Sequence, residues 1–213
     1  MFELYWNTVD PTLRTILTDL MAEPLFGPFR LVGGTALSLQ LGHRRSVDID
    51  LFTDAPYGSI DFDAIDTCLR GRYTYVSDPT AGPIAFGRSY FVGDNPQQAV
   101  KVDIYYNDPF IREPILFDDI RMASAEEITA MKINVIGRGG RKKDFWDIHE
   151  LLDHYSIDEM IVLHSERYPY DHDEQTIRDK FTDFAQADDD LDPICIRGKF
   201  WEIIKLDLVE LCQ

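Results

Sequence analysis

The sequence is short of positive charge. Its 21 lysines and arginines face 38 aspartates and glutamates, a formal net charge of −17 over 213 residues. A field of that sign repels phosphate and excludes broad nonspecific binding of nucleic acid. Cysteine is scarce as well: Cys68, Cys195 and Cys212 are odd in number and share no close spacing. That argues against a disulfide framework and for a reducing compartment, the cytoplasm. No apolar run approaches the ~20 residues that span a bilayer. The stretch Met1–Trp6 lacks the basic and apolar regions of a signal peptide, so no membrane association is expected. His149 and His154 miss the i, i+4 spacing of a helical zinc pair. There is no internal repeat and no long low-complexity segment.

What is present suits a soluble globular chain, with 45% hydrophobic and 28% charged residues. A chain of this length buries roughly 70% of its unfolded surface and needs no covalent staple. Asp10-Pro11 predicts a helix start, with Leu13, Ile16, Leu17 and Leu20 at helical spacing and Pro24 as the stop. Strands are expected at 29–32, 47–53, 73–76, 84–92 and 100–106, with helices at 35–41 and 60–69 between them. Beyond that the pattern turns helical. Ser124/Glu127 and Ser156/Glu159 are capping-box signatures, and further helices are expected at 144–152, 174–187 and 197–211. The order predicts an α/β (α+β) core with a small mixed sheet flanked by helices, over 1–120. A helical C-terminal lobe, 121–213, follows it. Phe145, Trp146, Tyr155, Phe181, Phe184, Phe200 and Trp201 are expected in the core of that lobe, and Cys68 on a packed helix face.

The chemistry-bearing residues gather around one strand. In Val47-Asp48-Ile49-Asp50-Leu51-Phe52 the period of two puts Asp48 and Asp50 on one face. Two carboxylates so close repel each other unless a cation sits between them, and magnesium, hard and oxygen-seeking, is the natural one. Read alone, the pair is either a metal site or a solvated strand edge. Upstream, Gly33-Gly34-Thr35 follows a strand and opens a helix, as either a plain turn or a phosphate cradle. Downstream, Lys101-Val102-Asp103 places an acid on another strand, where Asp103 either completes a carboxylate triplet or lies exposed at an edge. Lys132 falls on the apolar stripe of its helix. It either snorkels to water or meets a triphosphate or Asp144, which shares a helix face with Asp147. Two basic clusters, His43-Arg44-Arg45 and Arg138/Arg141-Lys142-Lys143, are either solvated turns or local phosphate sites.

Taken together these segments resemble the AbiEii/AbiGii-type nucleotidyltransferase toxins of the DNA polymerase β-like superfamily. The matching stretches are Gly33–Leu37, Gly42–Phe52, Lys101–Asp103, Met131-Lys132 and Arg141–Asp147. The resemblance implies a nucleotidyltransferase core and transfer of a nucleoside monophosphate from a nucleoside triphosphate to an acceptor hydroxyl, with release of pyrophosphate. It implies Asp48 and Asp50, with Asp103, as ligands of Mg2+, and Asp48, Asp50, Asp103, Lys132 and Asp144 as catalytic. Gly33, Gly34, Thr35, Arg45, Ser46, Lys132 and Arg141 would meet the nucleotide. Gly34-Thr35 departs from the glycine-serine common in the superfamily but keeps the hydroxyl. The implied acceptor is the 3′ end of tRNA and the implied partner a cognate antitoxin. A small-molecule or protein acceptor, and a nucleotide-binding protein without turnover, are the competing readings.

Overall fold

The computed structural model describes residues 3–79 and 86–212. Asp10 starts α1 (Pro11–Ala22) by accepting the Leu13 N–H at 2.8 Å, with Pro11 in the first turn where a missing N–H costs nothing. The stripe Leu13, Ile16, Leu17 and Leu20 is 2% exposed or less and packs on the sheet. β1 (Arg30–Leu31) leads into α2 (Gly33–Leu41), which Gly42 ends in a left-handed conformation, φ 69°. β2 (Asp48–Thr53) alternates half-buried and buried side chains along its length. α3 (Phe62–Arg72) starts on the Asp61 carboxylate and precedes β3 (Tyr75–Val76), β4 (Gly87–Gly93) and β5 (Val100–Tyr106). Ile84 and Ala85, expected in that fourth strand, lie outside the described residues.

Two strands were not expected. β6 (Ile115–Phe117) and β7 (Ile120–Met122) form a hairpin turned by Asp118 (φ 47°) and Asp119 (φ 62°). Two left-handed residues in a row match the twist of a tight hairpin, a position usually held by Asn-Gly. Without a glycine, the turn left no mark in the sequence. β7 pairs in parallel with β1 (Leu31↔Met122), so strands continue through Met122 rather than giving way to helices near Ile120. Among the described residues the sheet has seven strands in the order β3-β4-β5-β2-β1-β7-β6, with β2 near its centre, parallel to β5 and antiparallel to β1.

The remaining helices are α4 (Ala125–Gly137), α5 (Lys142–Leu151), α6 (Ile157–Arg167), α7 (Glu174–Lys180) and α8 (Trp201–Leu211). α4 packs against α2, α5, α6 and α7. A fully buried ion pair, Arg167 Nε to Glu127 Oε1 at 2.8 Å, ties α6 to α4. α7 stops at Lys180, seven residues short of the expected end. Of the expected core aromatics, Phe145, Trp146, Phe181, Phe184 and Trp201 are buried, whereas Phe200 is 71% exposed. Before α8 the chain returns to the start of β2. Arg45 N–H donates to the Ile194 carbonyl (2.9 Å) and Ile196 N–H to the His43 carbonyl (2.8 Å), so residues 190–196 lie as a strap beside 43–47.

Candidate active site

Parallel pairing of β2 and β5 brings three carboxylates together. Asp50 lies opposite Asp103 and Asp48 opposite Lys101, while Ile49, Leu51, Val102 and Ile104 are fully buried on the other face. Asp48, Asp50 and Asp103 line one cavity of about 250 Å³ together with Gly33, Gly34, Ser46, Lys132, Arg141 and Asp144. The edge-strand alternative for Asp103 therefore falls: β5 lies inside the sheet, between β4 and β2. Lys101, not singled out as a site residue from the sequence, lines the same cavity, as does Lys143 of the basic run read as a solvated turn or a phosphate site. Lys101 Nζ meets Asp103 Oδ2 at 2.5 Å, and Lys143 Nζ lies 3.9 Å from Asp48 Oδ2. Lys101 could have been found, because it stands two residues before Asp103 on the same strand face.

These acids are crowded. Burial, then the charges of Asp103 and Asp48, push the Asp50 carboxyl up to about 6. Asp103 Oδ1 is buried without a hydrogen-bond partner. Oxygen donors under mutual repulsion are chemically compatible with a hard cation such as magnesium. Among the described residues no group of three or more His, Cys, Asp or Glu side chains is placed so that it could hold a metal ion, so the three acids share the cleft without forming a metal cluster.

The glycine bend closes one wall. Gly33, φ 67°, sits where a Cβ would come within 2.6 Å of Asp50 Oδ2, and a Cβ on Gly34 would come within 2.5 Å of Arg44 Nη2. Both positions exclude a side chain because a functional group already occupies that space. Thr35, expected in the phosphate cradle, is 1% exposed and is not part of the cavity wall. Its hydroxyl donates to the Asp48 carbonyl and lies 2.9 Å from Ser46 Oγ, fixing the entry to β2 from behind. Arg45 lies outside this cavity, on a second one beside it.

Lys132 meets carboxylates. Its Nζ lies 2.7 Å from Asp144 Oδ1 and 2.7 Å from Asp147 Oδ2. Asp147, fully buried, also receives Arg44 through Nε (2.6 Å) and Nη2 (2.8 Å), with His43 Nε2 at 2.8 Å. Burial opposes ionisation of Asp147, yet Arg44 and Lys132 overcome it and hold the carboxyl well below the usual range. Asp144 is likewise lowered: Lys132 outweighs the burial. Burial lowers Lys132, but Asp147 and Asp144 more than restore it, so the ammonium stays charged. Asp144 also accepts the Arg141 N–H at 3.0 Å, closing a capping box at the start of α5. Asp147 and Arg44 are thus the hub that the sequence did not single out. Asp144 and Asp147 answer Lys132 and Arg44, and from the basic run beside them Arg141 adds its Nε to Asp144 Oδ2 at 3.4 Å. In that run Lys142 goes to Asp192 at 3.0 Å and Lys143 faces Asp48.

Sheet, helices and cleft are those of a nucleotidyltransferase fold. A candidate nucleotidyltransferase from H. pylori is similar at a TM-score of 0.57 and 24% identity, covering 94% of this chain and 90% of that one. MenT4, a nucleotidyltransferase toxin from Mycobacterium tuberculosis H37Rv, is similar at 0.52 and 15% identity, covering 94% and 82%. Residues 15–199 match the family model "Nucleotidyl transferase AbiEii toxin, Type IV TA system", and the chain belongs to that family. An uncharacterized protein of Aquifex aeolicus (strain VF5) is 32% identical over 145 residues, and the match spans 65% of each protein.

Proposed function

We propose that this chain transfers a nucleoside monophosphate from a nucleoside triphosphate to an RNA hydroxyl, the 3′ end of a tRNA, and acts as a toxin restrained by a cognate antitoxin. The observation that carries the reading is the convergence of Asp48, Asp50 and Asp103 on one cleft beside the Gly33-Gly34 bend. Asp48, Asp50 and Asp103 would hold Mg2+, which supplies charge neutralisation at the phosphates and lowers the pKa of a bound hydroxyl. The N-terminus of α2 offers amides and a positive dipole end to the phosphates. Lys143 and Arg141 offset the negative charge that moves to pyrophosphate as the bond to the α-phosphorus breaks. Asp103 Oδ1, the oxygen without a partner, takes the proton of the attacking hydroxyl. Lys132, Asp144 and Asp147 hold α4, α5 and the loop before β2 in the geometry this needs.

A cytoplasmic setting is supported by the three cysteines, all free. No described helix is long and apolar enough to cross a membrane. The test is incubation with each α-labelled nucleotide, Mg2+ and total tRNA, with Asp48→Asn beside the wild type. Label should enter tRNA and pyrophosphate should appear, both only with wild type. Equal transfer by Asp48→Asn would refute the carboxylate assignment. The net charge of −17 favours a second reading, a small uncharged acceptor. Hydroxyl-bearing drugs in place of tRNA separate the two.

A further inference from the structure

Beside the cleft lies a second cavity of about 410 Å³, between the start of β2, the start of α5 and the strap that crosses them. Its volume is in the ~300–1,000 Å³ range of small-ligand pockets. Ser46, Arg141 and Lys143 belong to both cavities, so the two communicate at the end of β2 that carries Asp48. None of Gly33, Gly34, Asp50 and Asp103 reaches it. The reacting phosphates therefore belong to the first cavity, and the second is the approach to it.

The lining is of two kinds. Val47, Leu191 and Ile194 expose 63%, 93% and 63% of their surface, three large apolar side chains gathered at one cavity beside the cleft. Around them stand Arg45, Arg141 and Lys143. Arg45 has no carboxylate in ion-pair range among the described residues, and the nearest to Lys143 is Asp48 Oδ2 at 3.9 Å. The strap brings acids too, but they are engaged elsewhere. Asp190 Oδ2 accepts the Lys142 N–H at 3.0 Å, and Asp192 Oδ1 pairs with Lys142 Nζ at 3.0 Å. Arg141 Nε already has Asp144 Oδ2 at 3.4 Å, with the rest of its guanidinium open to the cavity, so Arg45 and Lys143 carry most of the unmatched positive charge beside the apolar walls, in a chain whose total is strongly negative.

The geometry points to this cavity as the subsite for the last nucleotides of a single-stranded RNA acceptor, with bases against Val47, Leu191 and Ile194 and phosphates on Arg45, Arg141 and Lys143. This rests on the transferase reading and adds where the acceptor sits. The strap is then a specificity element: it admits a single strand and limits the contact to a few nucleotides, and RNA docks despite the overall charge because the rest of the surface is not used. Apolar contact beneath the bases and charge contact along the phosphates are the two forces this site combines, and neither reads base sequence.

The test is fluorescence anisotropy of the full chain with a fluorescein-labelled single-stranded RNA hexamer bearing a free 3′ hydroxyl. Leu191 is almost wholly exposed, so Leu191→Asp leaves the core intact. It should weaken hexamer binding about tenfold through repulsion of phosphate, while Leu191→Arg should bind at least as tightly as wild type. Neither should change the affinity for magnesium-nucleotide, measured by calorimetry. Three cations on phosphate give a slope of log affinity against log salt of about −2 for a single strand. Unchanged hexamer binding in Leu191→Asp, or a loss confined to nucleotide affinity, overturns the assignment. So does transfer to tRNA whose KM is the same in Leu191→Asp and wild type. A wild-type chain that binds the hexamer through Leu191 but transfers nothing keeps this inference and removes the transferase reading.

Discussion

Asp147→Asn is the sharpest test of the buried hub. The substitution keeps shape and one acceptor oxygen but removes one of two negative charges. Arg44 and Lys132 are then left against Asp144 alone, in a site where Lys132 is 6% exposed and Asp147 not at all. Breaking a buried pair by removing one partner costs about 3–5 kcal/mol, because the other charge stays dehydrated. At this chain length each kcal/mol lowers Tm by roughly 2–4 °C, so a fall of about 10 °C is expected in thermal melts followed by circular dichroism at pH 7. The sign of a second change makes the reasoning specific. Lys132→Met alone should destabilise, since two carboxylates then face one guanidinium. In the Asp147→Asn background the same change should stabilise, because it restores one cation against one anion. The coupling in that double-mutant cycle should exceed about 1 kcal/mol. Additive effects, or a Tm shift within experimental error for Asp147→Asn, would show that the hub holds nothing together.

Asp50→Asn should stabilise the metal-free chain at neutral pH while abolishing transfer. With its folded pKa raised to about 6, Asp50 contributes most below its unfolded value and loses that contribution as pH rises through about 6. The gain in urea unfolding at pH 7.5 should be about 2 kcal/mol, discounted for the open cleft, and millimolar Mg2+ should close the gap by raising wild type alone. Asp144 and Asp147 have the opposite sign. Their lowered pKa values stabilise above the unfolded carboxylate value and are lost as pH falls below it, so acid unfolding should begin below pH ~4 and be shallower in Asp147→Asn. Gly34→Ala should cost about 1–3 kcal/mol, measured by the urea midpoint, because its Cβ displaces the Arg44 guanidinium from Asp147. Wild-type stability in Gly34→Ala would show that Arg44 moves freely.

What was legible in the sequence follows from how local each signal is. The Asp10 cap, the apolar stripe of α1, the Gly42 stop and the alternation of β2 depend on neighbours within a turn or two, and all appear as read. The hairpin β6–β7 was lost because its turn is Asp118-Asp119, side chains that tolerate the left-handed region without announcing it. The convergence of Asp103 with Asp50 depends on strand pairing across 53 positions; the sequence could name Asp103 as a candidate but not exclude an exposed edge. The hub lay further out of reach. Arg44 and Asp147 are 103 residues apart, and no local spacing links them.

The arrangement divides charge in two ways within one wall of the molecule. Asp144 and Asp147 are matched by Lys132 and Arg44 and shielded from water, so their charges change little when a substrate arrives. Asp48, Asp50 and Asp103 are underneutralised: one is pushed up to about 6 and one keeps a buried oxygen without a partner. A cluster that is already satisfied can position but cannot drive a cation to bind; a cluster with excess charge can do so, at a cost to the empty fold. The lysine on the apolar stripe of α4 is matched by Asp144 and Asp147 while it also lines the cleft, so it joins the two clusters. The cations nearer solvent in that cleft are Arg141, 62% exposed along its side chain and 3.4 Å from Asp144, Lys101 at 39% and Lys143 at 34%.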